Sequence, residues 1–328
     1  MALRKREFLK LAAAAGALPF AGARAAWSAD KPSAVALDYA YYNPVSLLLK
    51  KRGWLEEELG KDSIGVRWVL SLGSNKALEY LRGSSIDFGS TAGSAVLVAR
   101  AGGLPVKAVY VYSKPEWTAL VTRNNSPIRK VEDLKGRSVA VTRGTDPHIL
   151  LLRALDAKGL SESDIHPVLL QHPDGYHALV TNQVDVWAGL DPHMAKAEIE
   201  SGATLFYRNP SFNTYGILNV REAFAKQYPE LVARVLAVYE KARLHALANP
   251  DELRADLVEA ASVSDAVAKL QLSERTDLTN PVLGSDHRAT LLATGEVLKR
   301  IGIIDGDADI SRTVEGLIDI SYLSRKAG

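Results

Sequence analysis

Between Leu81 and Ser94 the chain reads Leu-Arg-Gly-Ser-Ser-Ile-Asp-Phe-Gly-Ser-Thr-Ala-Gly-Ser. Ser90, Thr91, Gly93 and Ser94 follow a strand-like alternation at 86–88 and precede a helical pattern, so they fall where a helix presents unpaired N–H groups. Such a terminus, with its dipole and small side chains, attracts sulfate-, phosphate- or carboxylate-like groups. The same residue types also serve as ordinary helix caps. A second block of this kind, Gly144-Thr145-Asp146-Pro147-His148, opens another helix. Asp146 is suited to the N-cap there and Pro147 to the first helical position.

The elements that position these blocks alternate. Strand-like stretches at 33–41, 64–70, 86–88 and 106–112 are separated by helix-like stretches at 45–59, 75–82 and 94–101, an order that predicts a mostly parallel sheet with helices on its faces. Ligands of such sheets bind beyond the carboxyl ends of the strands. The loops 41–44, 72–75 and 90–94 then share one rim and add Tyr42, Asn43, Ser74 and Asn75 to the candidates. The pattern restarts after Trp117, with strands at 118–123, 138–141, 168–170 and 184–188. A short helix and turn lies at 128–137, a helix runs from the Gly144 block to Lys158, and Asp191-Pro192 opens a further helix. From Arg221 onward the pattern is helical, which predicts packing and little chemistry.

Composition narrows the function classes. A chain of 328 residues, 47% of them apolar, is long enough for about two domains with developed cores. Forty Lys and Arg against 38 Asp and Glu, mixed along the chain, give no basic stripe for nucleic acid. The absence of cysteine excludes disulfides, thiolate metal sites, thiol nucleophiles and a lipid-modified N-terminal cysteine. His166, His172, His177 and His193 fit no compact metal-ligand spacing, and neither a metal nor a cofactor is expected. No Ser-His-Asp order or carboxylate pair marks a hydrolase.

The first residues read as an export signal. Arg4, Lys5 and Arg6 precede an apolar run at 11–23, and Ala23-Arg24-Ala25 offers a small-x-small cleavage site. The run is short of the ~20 residues of a spanning helix. Lys5-Arg6-Glu7-Phe8-Leu9-Lys10 is similar to the twin-arginine export motif with lysine in the first arginine position, so both the Sec and the twin-arginine routes stay open. Residues 1–25 are expected to be removed, leaving a soluble protein in the periplasm that is not a lipoprotein.

Three blocks carry a family resemblance: Gly83-Ser84-Ser85-Ile86-Asp87-Phe88-Gly89; Ser126-Pro127-Ile128 with the stretch from Val131 to Val141; and Val184-Asp185-Val186-Trp187 with Leu190-Asp191-Pro192. In this order they resemble the periplasmic solute-binding proteins of sulfonate, nitrate and taurine ABC importers, the aliphatic sulfonate branch above all, over about 35–322. The resemblance implies an α/β, periplasmic-binding-protein-like fold: two lobes joined by two crossing strands, with the ligand between them. Lobe one would comprise 33–116 and 220–328, lobe two 117–219, and the crossings would lie near 117–121 and 215–220.

By the same resemblance the protein captures an aliphatic sulfonate or a related small organic anion as a monomer, without catalysis, and delivers it to an ABC permease and its ATPase. The helix starts at 91–94 and 144–148 would face each other and grip the head group, Thr91, Gly93 and Ser94 from one lobe, Gly144, Thr145, Asp146 and His148 from the other. Tyr42, Trp117 and Tyr215 are candidates both for walls around the ligand tail and for core packing. Asp146 stands where sulfonate binders tend to carry a neutral residue. Pointing into the cleft it would repel an anion and favour a zwitterion or a cationic heterocycle; used as a cap it would do neither. Asp191 poses the same question, and Arg143 and His148 are the nearby cationic candidates. The alternative is a same-fold enzyme or receptor handling a thiamine-precursor pyrimidine or another small heterocycle. Related desulfinases need the cysteine nucleophile that this chain lacks.

Overall fold

The computed structural model describes residues 31–323; the expected export signal lies outside them. Its first strand, β1 (Ala34–Tyr39), buries Val35, Leu37 and Asp38 completely, as a strand covered by helices on both faces does. The remaining strands are β2 (Gly65–Leu70), β3 (Phe88–Ala92), β4 (Val106–Pro115), β5 (Thr118–Thr122), β6 (Ser138–Val141), β7 (His166–Leu169), β8 (Val186–Leu190), β9 (Thr204–Tyr207), β10 (Gly216–Arg221) and β11 (Thr276–Asp277). Between them run α1 (Pro44–Arg52), α2 (Trp54–Gly60), α3 (Ser74–Arg82), α4 (Gly93–Ala101), α5 (Asp146–Asp156), α6 (His172–Val180) and α7 (His193–Ser201). The tail carries α8 (Glu222–Gln227), α9 (Pro229–Ala248), α10 (Pro250–Ala261), α11 (Asp265–Lys269), α12 (Ser285–Arg300) and α13 (Ile310–Leu317).

These strands form two sheets, in the orders β11-β4-β10-β3-β1-β2 and β7-β6-β8-β5-β9. β1 pairs in parallel with β2 and β3, and β6 with β7 and β8, as the alternating pattern requires. The expectation of mostly parallel sheets needs correcting at the strands next to the crossings. β10 lies antiparallel between β3 and β4, and β5 lies antiparallel between β8 and β9. The chain passes from the first sheet to the second at Glu116 and Trp117, and returns over 208–215. The stretches expected to cross, 117–121 and 215–220, therefore fall largely on β5 and β10, and the expected boundary at 219/220 falls inside β10. Each of these strands has ladder partners on both sides, which holds it within one sheet.

Two local differences matter for the site. β3 runs on to Ala92, because Ser90 and Thr91 pair with Leu218 and Ile217 of β10, so these residues are strand and not helix start. The expected helix over 45–59 breaks at Gly53, whose left-handed φ of 65° ends α1 with its N–H on the Lys50 carbonyl.

The first lobe's core joins Leu37, Phe88 and Leu218 to Val232, Val235 and Tyr239 of α9, while α12 and α13 cover α4 through Leu291, Leu298 and Val314. The second sheet has separate apolar clusters on its two sides, one around Val139, Leu151 and Val186, the other around Ala119, Leu179 and Trp187.

Candidate functional site

The carboxyl ends of β1, β2 and β3 lead into 40–43, 71–74 and Gly93, and those of β6, β7 and β8 into 142–145, 170–171 and Asp191. These rims face one another. The gap lined by Tyr42, Leu72, His172, Leu190 and Asp191 measures only about 10 Å³. A Cβ on Gly73 would stand 2.8 Å from Asn75 Oδ1 and 3.2 Å from the His172 ring, which leaves room only for glycine unless both side chains shift.

At the centre is Asp146. It is the first residue of α5, with Thr145 in the N-cap position, and its carboxylate reaches away from its own helix to the other lobe and the crossings. Oδ1 accepts the Ser94 hydroxyl and, at 2.9 Å, the Thr214 hydroxyl. Oδ2 accepts the Trp117 indole N–H at 2.9 Å and the Thr214 N–H at 3.1 Å. Four donors thus meet two oxygens in a buried position. Burial pushes this carboxyl above its ordinary pKa, while the bonds from Ser94, Trp117 and Thr214 pull it down. Of the two alternatives its position leaves open, a cap on its own helix and a carboxylate aimed into the cleft, Asp146 takes the second.

The expected grip by N–H groups at 91–94 also changes. The Gly93 N–H is taken by the Tyr215 carbonyl at 2.9 Å and the Ser94 N–H by the Thr214 hydroxyl at 2.9 Å. Thr91 sits in the β3–β10 ladder, its hydroxyl accepting from Asn219 Nδ2 at 2.8 Å. The return crossing takes the first two N–H groups of this helix, so the donors that converge on Asp146 are mostly side chains: Ser94, Trp117 and Thr214.

Beneath them lies a polar layer confined to the first lobe. Asp38 accepts the Ser90 N–H at 2.8 Å and the Ser90 hydroxyl at 2.9 Å, and burial raises its pKa to about 6 against the lowering effect of those bonds. Asn43 caps α1 through Ser46 N–H and donates to Ser90 Oγ at 2.8 Å. Tyr42 donates to the Ser90 carbonyl at 3.0 Å and meets Trp117 edge to face, with centroids 6.0 Å apart. Ser74 accepts the Ala92 N–H at 2.9 Å. These groups are committed to holding the rim in shape.

The remaining candidates divide. Gly144, at φ +79°, and Thr145, whose hydroxyl bonds the Thr142 carbonyl at 2.6 Å, shape the loop that delivers Asp146. Asn75 Oδ1 and His148 Nε2 are buried without hydrogen-bond partners, and both residues line a cavity of about 580 Å³ between α3, α4 and α5 that also holds Arg143. Asp191, one residue before the N-cap Pro192, accepts Ala195 N–H at 2.8 Å and so helps cap α7's first turn, and it also meets Arg275 of the tail at 3.3 Å. Burial raises its pKa to about 6. Tyr215 packs its ring on His287, with centroids 4.0 Å apart.

Sequence reading missed Thr214, Asp38, Asn219 and Arg275. Asp38 had a signal, a carboxylate in an otherwise apolar strand. Thr214 and Arg275 had none, since one lies on an irregular crossing and the other in a tail read as packing alone; Arg275 in fact ties that tail to Asp191 and Glu198. Among the described residues no group of His, Asp and Glu is arranged to hold a metal ion, and no helix is long and apolar enough to cross a membrane.

The NMT1/THI5-like family matches residues 49–253, well over half of the chain. The chain belongs to that family. It is 28% identical over 287 residues to an Escherichia coli (strain K12) protein named for aliphatic-sulfonate binding, covering 87% of this chain and 89% of the other. The periplasmic aliphatic sulphonate binding protein SsuA from Escherichia coli is similar in structure, with a TM-score of 0.71 at 26% identity over 86% of this chain and 92% of that one. The alkanesulfonate-binding protein SsuA from Xanthomonas axonopodis pv. citri, solved with MOPS, gives a TM-score of 0.78 at 23% identity over 86% and 98%. These likenesses establish the periplasmic-binding-protein fold: two α/β lobes, two crossings and a cleft between them.

Proposed function

We propose that this protein is the substrate-binding component of an ABC importer, that it works in the periplasm, and that its cleft captures an aliphatic sulfonate or a related small organic anion. The observation that carries this reading is the set of four donors from Ser94, Trp117 and Thr214, gathered from one lobe and both crossings on one pair of carboxylate oxygens. That set suits a tetrahedral or planar anionic head group, because charge-assisted bonds in a closed site are short and strong. The ~580 Å³ cavity beside it, with Leu78, Ala95, Val98 and Ile149 among its walls, is suited to an apolar tail. Lobe one comprises the strands of the six-stranded sheet with the tail, and lobe two those of the five-stranded sheet; the protein acts as a monomer without a catalytic step.

A second reading is favoured by Asp146 itself. A ligand carrying an ammonium or a ring N–H, such as taurine or an aminopyrimidine, gains a partner in that carboxylate. Calorimetric titration against ethanesulfonate, MOPS, taurine, sulfate, nitrate and an aminopyrimidine separates the two. One-site binding of the simple sulfonates supports the first reading, and binding of taurine or the pyrimidine alone supports the second. A panel without any binder sinks both. Thermal shifts give the same ranking, since a ligand at one hundred times its Kd stabilises by about 2.7 kcal/mol.

A further inference from the structure

The donors of the proposed head-group site are in use by the chain's own carboxylate. Asp146 is carried by lobe two, Ser94 by lobe one, and Trp117 and Thr214 by the two crossings, so this one side chain joins every part that must move apart when the cleft opens. We infer that Asp146 is a tethered anion: it latches the lobes together in the absence of ligand, and an anionic ligand gains entry by displacing it from Ser94, Trp117 and Thr214.

Three features support displacement over a fixed structural bond. The carboxylate makes no bond within its own lobe, so its release leaves the second lobe intact. Gly144 precedes it at φ +79°, and a Cβ added there would find only Asn75 Cβ, at 3.9 Å, so the loop has space in which to swing. The adjoining cavity holds Arg143, which Glu162 engages at 2.9 Å and which a displaced carboxylate would share. The consequence is a threshold on binding: a ligand must outcompete a group whose effective concentration is set by its tether. Asp146 would then set affinity and selectivity, because a weakly held anion could not open the latch.

The inference rests on the cleft being the ligand site, yet its first test needs no ligand. Protein stripped by unfolding, dialysis and refolding is compared by small-angle scattering as wild type, Asp146→Ala, Asp146→Asn and Trp117→Phe. A compact molecule of this length has a radius of gyration of about 19 Å. Wild type is expected near that value, Asp146→Ala resolvably larger, and Asp146→Asn and Trp117→Phe in between, since each keeps part of the bond set. Arg275 also ties the lobe-one tail to Asp191 and Glu198 of lobe two, so the comparison is repeated with Arg275→Ala in both proteins; equal radii for the wild-type and Asp146→Ala forms in that background overturn the latch whatever the ligand proves to be. Melting curves establish that each variant is folded; if Asp146→Ala is not, Ser94→Ala, Trp117→Phe and Thr214→Val combined remove the three side-chain donors from the other side, leaving only the Thr214 N–H, and must give the expansion. The second test titrates ethanesulfonate: Asp146→Asn is expected to bind at least tenfold more tightly than wild type, and equal or weaker binding overturns the competition.

Discussion

Asp38 and Asp146 each bring a carboxylate into the interior, one at the centre of β1 and the other at the head of α5, and each is bonded through both oxygens. Asp38 takes its donors from Ser90, on a strand of its own sheet. Asp146 takes its donors from the other lobe and the crossings. A buried carboxylate bonded within one sheet fixes that sheet, whereas one bonded across a cleft fixes the relation between two bodies. The two should therefore fail differently when removed.

The largest effect is expected at Asp38. Asp38→Ala leaves the Ser90 N–H and hydroxyl buried without this acceptor, at a cost of about 2–4 kcal/mol. Tm should fall by several degrees, with ligand affinity lowered only in proportion to unfolding. Asp146→Ala opens its donors to water in the parted cleft and should cost about 1 kcal/mol or less of stability. Denaturant melts of the two variants check this. Equal losses would erase the distinction.

Acid sharpens the contrast on lobe two's face. Burial holds His172 well below its ordinary pKa, at about 3, so its neutral form is favoured by folding. Its contribution is full above the unfolded value near 6.5 and is lost as pH falls, at about 1.4 kcal/mol per pH unit. Asp38 and Asp191, raised to about 6, act in the opposite sense: the stability they add is present below the unfolded pKa of 3.8 and lost as pH rises through 6. Burial also holds His193 low, at about 4, and wild-type stability should change little between pH 6 and pH 4 because the losses at His172 and His193 offset the gains at the two carboxylates. His172→Gln should gain on wild type by about 2 kcal/mol at pH 5. A constant difference between the two melting curves from pH 7 to pH 4.5 would contradict the assignment.

The smallest effect is expected at Gly144. An alanine at φ +79° is strained by about 1 kcal/mol, though nothing crowds its Cβ. Gly144→Ala should lower Tm slightly and change affinity more than stability, because the strain falls on the loop that delivers Asp146. β1, which delivers Asp38, has no such glycine to test.

Much of this was legible in the residues. The βα alternation placed the strand ends, and with them Tyr42, Asn43, Ser74, Ser94 and Asp146, on facing rims, because hydrophobic period and turn residues are local signals. The crossings were less legible. Residues 208–215 have no periodicity, and their position follows from ladder pairing between distant strands, so Thr214 stayed hidden although it supplies two of Asp146's four donors. The direction of Asp146 was not legible either: the same Asp-Pro spacing serves a helix cap, which Asp191 is, and a cleft carboxylate, which Asp146 is. Only the position of the opposite lobe separates them.

The central claim, that a ligand anion takes the place Asp146 holds against Ser94, is tested most directly by calorimetric titration of the best-binding anion of the panel into wild type, Ser94→Ala, Ser94→Asp and Asp146→Asn. Ser94→Ala removes one donor and should weaken binding by about 1 kcal/mol, or roughly fivefold. Ser94→Asp puts a second negative charge where the head group sits and should weaken it by a hundredfold or more, while Asp146→Asn strengthens it. Unchanged affinity in Ser94→Asp, with the variant folded, would contradict the account and put the binding site elsewhere.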